Sequence, residues 1–164
     1  MATKPPGDDL GSLLDSLDSK AAMAPAAKVS PEDAWVARFN TQREKVIRPT
    51  MELLGKEVER RGHDFHIVQR DFRRGNRAIP DEASIRIDLY LADEKTRTKI
   101  NADRRPHLGF TTNHKTQTVQ VILCDITSKG GVESKVGDFP LEKIDAMFVR
   151  DKFVALFKRL VGNK

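Results

Sequence analysis

The chain has 164 residues, of which 38% are hydrophobic and 32% charged, with a formal net charge of +5. That length suffices for one domain and a tail, and no apolar run approaches the ~18 residues that a membrane-spanning helix requires. A single cysteine, Cys124, excludes an internal disulfide, and the start MATKPPGDDL lacks the apolar core of a secretory signal, so the expected location is the cytoplasm.

Residues 1–29 are rich in Ala, Pro, Gly, Ser and Asp and hold no aromatic residue. Such a composition buries too little apolar surface to offset chain entropy, and the segment is expected to be a disordered tail. Residues 8–19, DDLGSLLDSLDS, depart from this pattern. Leu10, Leu13, Leu14 and Leu17 fall on one helical stripe, and Asp8 and Asp9 suit its N-terminal dipole. A helix of about three turns is marginal alone in water, so it is expected to form against a groove that accepts the leucines. The tail sets three lysines against four aspartates, which places the positive charge in residues 30–164.

The folded part is expected to span residues 30–164 as one domain. SPEDAW opens a helix, with Ser30 as N-cap, Pro31 in the first turn and Glu32 and Asp33 at the positive dipole end. The pattern runs to Arg60 and Arg61, with Gly62 as the residue past the C-cap. Trp35, Phe39, Val46, Ile47, Met51, Leu54 and Val58 supply its apolar side. Pro49 lies inside the run and removes a backbone donor, which predicts a kink or break near Arg48.

Strands follow. DFHIVQ and SIRIDLYL alternate, the second with Ile85, Ile87, Leu89 and Leu91 on one face. HLGFTT and QTVQVIL flank a loop read as NHKT. Pairing Thr112 with Gln117 sets Phe110 opposite Val119 and Leu108 opposite Val121. SKGG predicts a turn into a short fifth strand at VESKV. A last helix carries Val149, Phe153, Leu156, Phe157 and Leu160 on one stripe, with Asp145 as N-cap. The fold class expected is α+β: an antiparallel meander of four or five strands in two layers, flanked by a long N-terminal helix and a C-terminal helix. Ile122, Cys124 and Ile126 make the second face of the fourth strand apolar as well. Such a strand has both faces covered, here by the long helix, a partner or a second copy in a homodimer.

Signals for chemistry are weak. In GHDFH, His63 and His66 point to opposite faces of a strand, which leaves at most Asp64 and His66 together. Asp81, Asp93 and Lys95 match the letters of a nuclease-like Pro-Asp … Asp-x-Lys pattern. The intervening strand holds the two acids about 25 Å apart, too far for one ion. Cys124 sits mid-strand as a buried thiol, although His107 or His114 would serve as its base. No metal set, cofactor loop or nucleophile elbow is expected, and the reading leans away from an enzyme.

The expected function is a non-enzymatic protein-binding or adaptor module whose tail docks a protein partner through Leu10, Leu13, Leu14 and Leu17. The alternative is a nucleic-acid-binding protein. Its basic loop 70–77 sets Arg70, Arg73, Arg74 and Arg77 around Phe72, and the meander returns His114 and Lys115 to the same end.

Overall fold

A computed structural model of the chain describes residues 11–16, 29–75, 78–94 and 105–162. The chain divides into two units, Met1–Ser30 and Pro31–Lys164. In the first, residues 11–16 are helical. The second runs as helix α1 (Pro31–Gln42), a π-helical turn (Arg43–Ile47), helix α2 (Arg48–Arg60), strands β1 (Asp64–Arg70), β2 (Ser84–Tyr90), β3 (His107–Asn113), β4 (Thr118–Cys124) and β5 (Glu133–Phe139), and helix α3 (Ala146–Gly162). The five strands form one antiparallel sheet in the order β1-β2-β3-β4-β5, the expected meander.

The long helical run does not break at Pro49. It passes through the π turn, in which the Arg48 N–H bonds to Arg43 O. Proline lacks an N–H, and its ring crowds the carbonyl four residues back, here Lys45. The wider turn spans that carbonyl, and Thr50 Oγ1 donates to the next one, Val46 O, at 2.6 Å. The turn also directs Arg43 inward. Only 4% exposed, it donates to Arg70 O and to Asp71 Oδ1, both at 2.8 Å. The far end of α2 is closed as the sequence predicts. Gly62 takes φ 88°, its N–H bonds to Glu59 O and that of His63 to Val58 O, the paired bonds of a Schellman motif. At the start of α3, Asp145 Oδ1 accepts from Phe148 N at 2.8 Å, a capping bond.

Ile85, Ile87, Leu89, Leu108, Phe110, Val119, Val121 and Leu123 form the inner sheet face. They join Trp35, Phe39, Ile47, Met51 and Val58 of the first helical run and Val149, Phe153, Leu156 and Leu160 of α3 in one core. Gly55 of α2 lies so close to the Phe65 ring that a Cβ there would meet ring atoms at 2.4–2.6 Å. The two ends of the chain's helical layer are tied directly, Gln42 Nε2 donating to Ile144 O at 2.6 Å.

Two expectations are corrected. The β3–β4 register differs from the predicted one by two residues. Phe110 faces Val121, Leu108 faces Leu123, and Thr112 faces Val119. The loop is therefore His114–Gln117, closed by Gln117 at φ 53° and by Asn113 Oδ1 accepting from Thr116 N. A shift of two keeps the same side chains on the core face. The second correction concerns the rear face. Strand β4 ends at Cys124, so Ile126 lies beyond it, and the long helix packs on the core face instead. The strands beside Cys124 bring His107 and Glu133 to the rear face, and β2 adds Asp88 one strand further on, so the surroundings are polar rather than apolar.

Candidate functional site

Three regions hold the residues singled out by the sequence. In the helical segment 11–16, Leu13 and Leu14 are exposed, at 63% and 52%. Leu10 and Leu17, the outer members of the stripe, lie outside the described residues.

At the β1–β2 end, the fold brings the hairpin loop to the basic loop as expected. The rings of Phe72 and His114 stand 5.2 Å apart between centroids. His114 is nearly buried, and its Nδ1 lies 2.5 Å from Glu82 Oε1. Thr112 Oγ1 donates to Glu82 Oε2 at 2.7 Å, so one carboxylate holds both side chains. Of these arginines, Arg74 is engaged by acids. Arg74 Nη2 reaches Asp33 Oδ1 at 2.7 Å and Glu32 Oε2 at 3.7 Å. The hydrogen bond to Asp33 and the charge of that carboxylate raise the Arg74 pKa further. The guanidinium also lies over the Phe72 ring at 5.8 Å. Arg73 is held through its backbone, which pairs with Asp81. Arg70 and Lys115 are exposed, and Arg77 lies outside the described residues. Acids thus interleave with bases across this end, and Phe72 is packed within the fold rather than presented as an open stacking platform.

The third region is on the rear face, where the sequence offered Cys124 with His107 or His114 as its base but no metal set. His107 opens β3, Cys124 closes β4 and Glu133 opens β5. The register pairs His107 with Cys124 and Cys124 with Glu133, so the three stand in one row across three strands. One ligand atom from each lies within 4.8 Å of the other two. His107 Nδ1 is 2.8 Å from Arg105 O, and Nε2 is 3.4 Å from Glu133 Oε2. His107 and Cys124 are buried, whereas the Glu133 side chain is half exposed. Burial pushes the Cys124 thiol up, and a backbone hydrogen bond at Ile126 partly opposes this. Beside the row, Asp88 faces His107 across β2–β3 and pairs with Arg86 Nε at 2.7 Å. The Arg105 guanidinium stacks over Tyr90 at 4.0 Å.

Cys124 and His107 were each read in sequence, but as a thiol and its base. Glu133 carried no signal at all, because its role depends on which strand pairs with β4 and in which register. His63 turns to the backbone and its Nδ1 accepts from Ala92 N at 3.0 Å, while Asp64 and His66 are exposed on β1.

Comparison with protein-family models, with curated proteins and with solved structures returns no match. The architecture alone therefore gives the class: an α+β domain with a five-stranded antiparallel meander and a helical layer on its apolar face. No helix among the described residues is long and apolar enough to cross a membrane.

Proposed function

We propose that the protein is a binding module whose segment 8–19 docks a protein partner through Leu10, Leu13, Leu14 and Leu17. The observation that supports this reading most directly is the helix at 11–16, with both of its leucines exposed. Large apolar side chains paired on one exposed helical turn are the pattern of a helix-in-groove ligand. Asp8, Asp9, Asp15 and Asp18 surround the leucines in sequence. The partner's groove is thus apolar at its floor and basic at its rim.

The test is deletion of residues 1–20, alongside the double substitution Leu13→Asp and Leu14→Asp. Partners are recovered from native lysate with and without nuclease, and thermal stability is followed in parallel. Both variants lose the same protein partner and melt with the full chain. Raised salt weakens the interaction far less than it weakens phosphate binding, because the leucines carry it. A fall in melting temperature would assign the leucines to the protein's own core, since burying each contributes roughly 1.5–3 kcal/mol. Retention of every interaction by both variants would remove the docking role.

A further inference from the structure

The geometry points to a divalent transition-metal site on the rear face of the sheet, formed by His107 Nε2, Cys124 Sγ and the Glu133 carboxylate, with zinc as the ion that suits it best. Imidazole, thiolate and carboxylate together are the donor set of zinc, and the thiolate disfavours hard ions such as magnesium and calcium.

Three features of the row carry this. The first is convergence: one atom of each side chain lies within 4.8 Å of the others, although the residues come from three different strands. The second is the orientation of the imidazole. A carbonyl only accepts, so the contact of His107 Nδ1 with Arg105 O at 2.8 Å places the proton on Nδ1. The Nε2 lone pair of the neutral ring then faces Cys124 and Glu133. A histidine that gives its other N–H to a backbone carbonyl is held as metal-binding histidines are held. The third is spacing. His107 Nε2 and Glu133 Oε2 stand 3.4 Å apart, longer than an ordinary N–H···O bond. Two ligand atoms bonded to one tetrahedral zinc at their usual lengths stand about 3.3 Å apart. With Nε2 unprotonated, as ligation requires, its lone pair and the carboxylate face one point, and a cation there joins them.

The charges also close. As the Sγ–metal bond forms, the Sγ–H bond breaks and its proton leaves to solvent. Glu133 binds as the carboxylate and His107 as the neutral ring, so two anionic ligands neutralise a dication. Of the further acids, Asp88 is already paired with Arg86, and Asp125 Oδ1 accepts from Val132 N. The buried side of the site is His107 and Cys124, and the half-exposed side is Glu133. Water therefore takes the fourth position from the Glu133 side. The ion would tie β3, β4 and β5 together on the sheet face turned away from the core cluster.

The test uses the full chain freed of metal by a chelator and titrated with cobalt(II) alone, then with zinc(II) in competition. The expected result is one equivalent bound, with the thiolate-to-cobalt charge-transfer absorption that only a sulfur ligand gives. Zinc should displace the cobalt and raise the melting temperature. Cys124→Ser should abolish the charge-transfer band, while His107→Gln and Glu133→Gln should each weaken binding at least ten-fold. Glu133→Gln alters a half-exposed side chain and keeps the test decisive if Cys124→Ser folds poorly. A His63→Ala, His66→Ala variant should bind as the unaltered chain does. Absence of the thiolate band at one equivalent would overturn the site, as would affinity unchanged in Glu133→Gln or binding lost with His63 and His66.

Discussion

Gly55 shows how one missing Cβ positions a strand. The Phe65 ring occupies the space a side chain would fill, at 2.4–2.6 Å from the Cβ position, so β1 lies close under α2. Gly55→Ala should therefore force the ring aside and destabilise the protein by about 1–3 kcal/mol, measured by chemical denaturation. Two ion pairs illustrate how burial decides magnitude. Arg38 and Glu142 touch at 2.5 Å with side chains 59% and 64% exposed, so solvent screens them and little stability is expected from the pair. A backbone hydrogen bond and then Arg38 hold the Glu142 carboxyl below its usual range. The sign follows from linkage: the contribution is present above the ordinary glutamate range and is lost as pH falls through the folded value. Any difference between the melting curves of the unaltered chain and Glu142→Gln should be small at neutral pH and vanish in acid. Arg43 is the opposite case. It is 4% exposed and satisfies the Arg70 carbonyl and Asp71. Arg43→Ala should cost about 1–3 kcal/mol, read as a lower denaturation midpoint.

Among the elements, those with a local chemical cause were legible in sequence. The glycine after α2 and the aspartate before α3 act through bonds within a few residues of themselves, and both stand where the pattern placed them. Pro49 announced an irregularity, but not its form, because a π turn and a break both relieve the same lost donor. The β3–β4 register escaped by two residues for a similar reason. Alternation fixes which face a residue occupies, and both registers satisfy it; the choice between them fell to Gln117 in a left-handed conformation, which no glycine or asparagine marked. The row of His107, Cys124 and Glu133 was illegible for a stronger reason. It exists only when three strands are aligned, and no single segment contains more than one of its members. At this scale Phe153→Ala, which removes a buried ring from α3, should destabilise by about 3–5 kcal/mol in equilibrium unfolding.

Across the whole molecule, the sheet and its helical layer account for the fold, while the leucines of residues 8–19 lie in a separate unit. That division makes the deletion of residues 1–20 informative, since the docking reading requires the second unit to keep its stability without them. It also separates what composition reveals from what it conceals. The apolar periodicity of residues 30–164 describes how this chain covers its own core, whereas the stripe at Leu10–Leu17 is the pattern on which the docking proposal rests.

The order of the strands has a consequence in time. Each strand after β1 pairs with the one just before it in the chain, so the sheet can assemble by successive closures of connections no longer than 16 residues, the β2–β3 link. The helical layer closes differently: Gln42 meets Ile144 across a separation of 102 residues. Loop-closure entropy makes such a long contact late, after the hairpins have reduced the distance to be searched. Stopped-flow refolding should thus slow when the β3–β4 hairpin is weakened by Phe110→Leu, with little change in unfolding. Gln42→Ala should leave the refolding rate nearly unchanged and accelerate unfolding. The hairpins would then set how fast the protein folds, and the meeting of its first and last helices how long it stays folded.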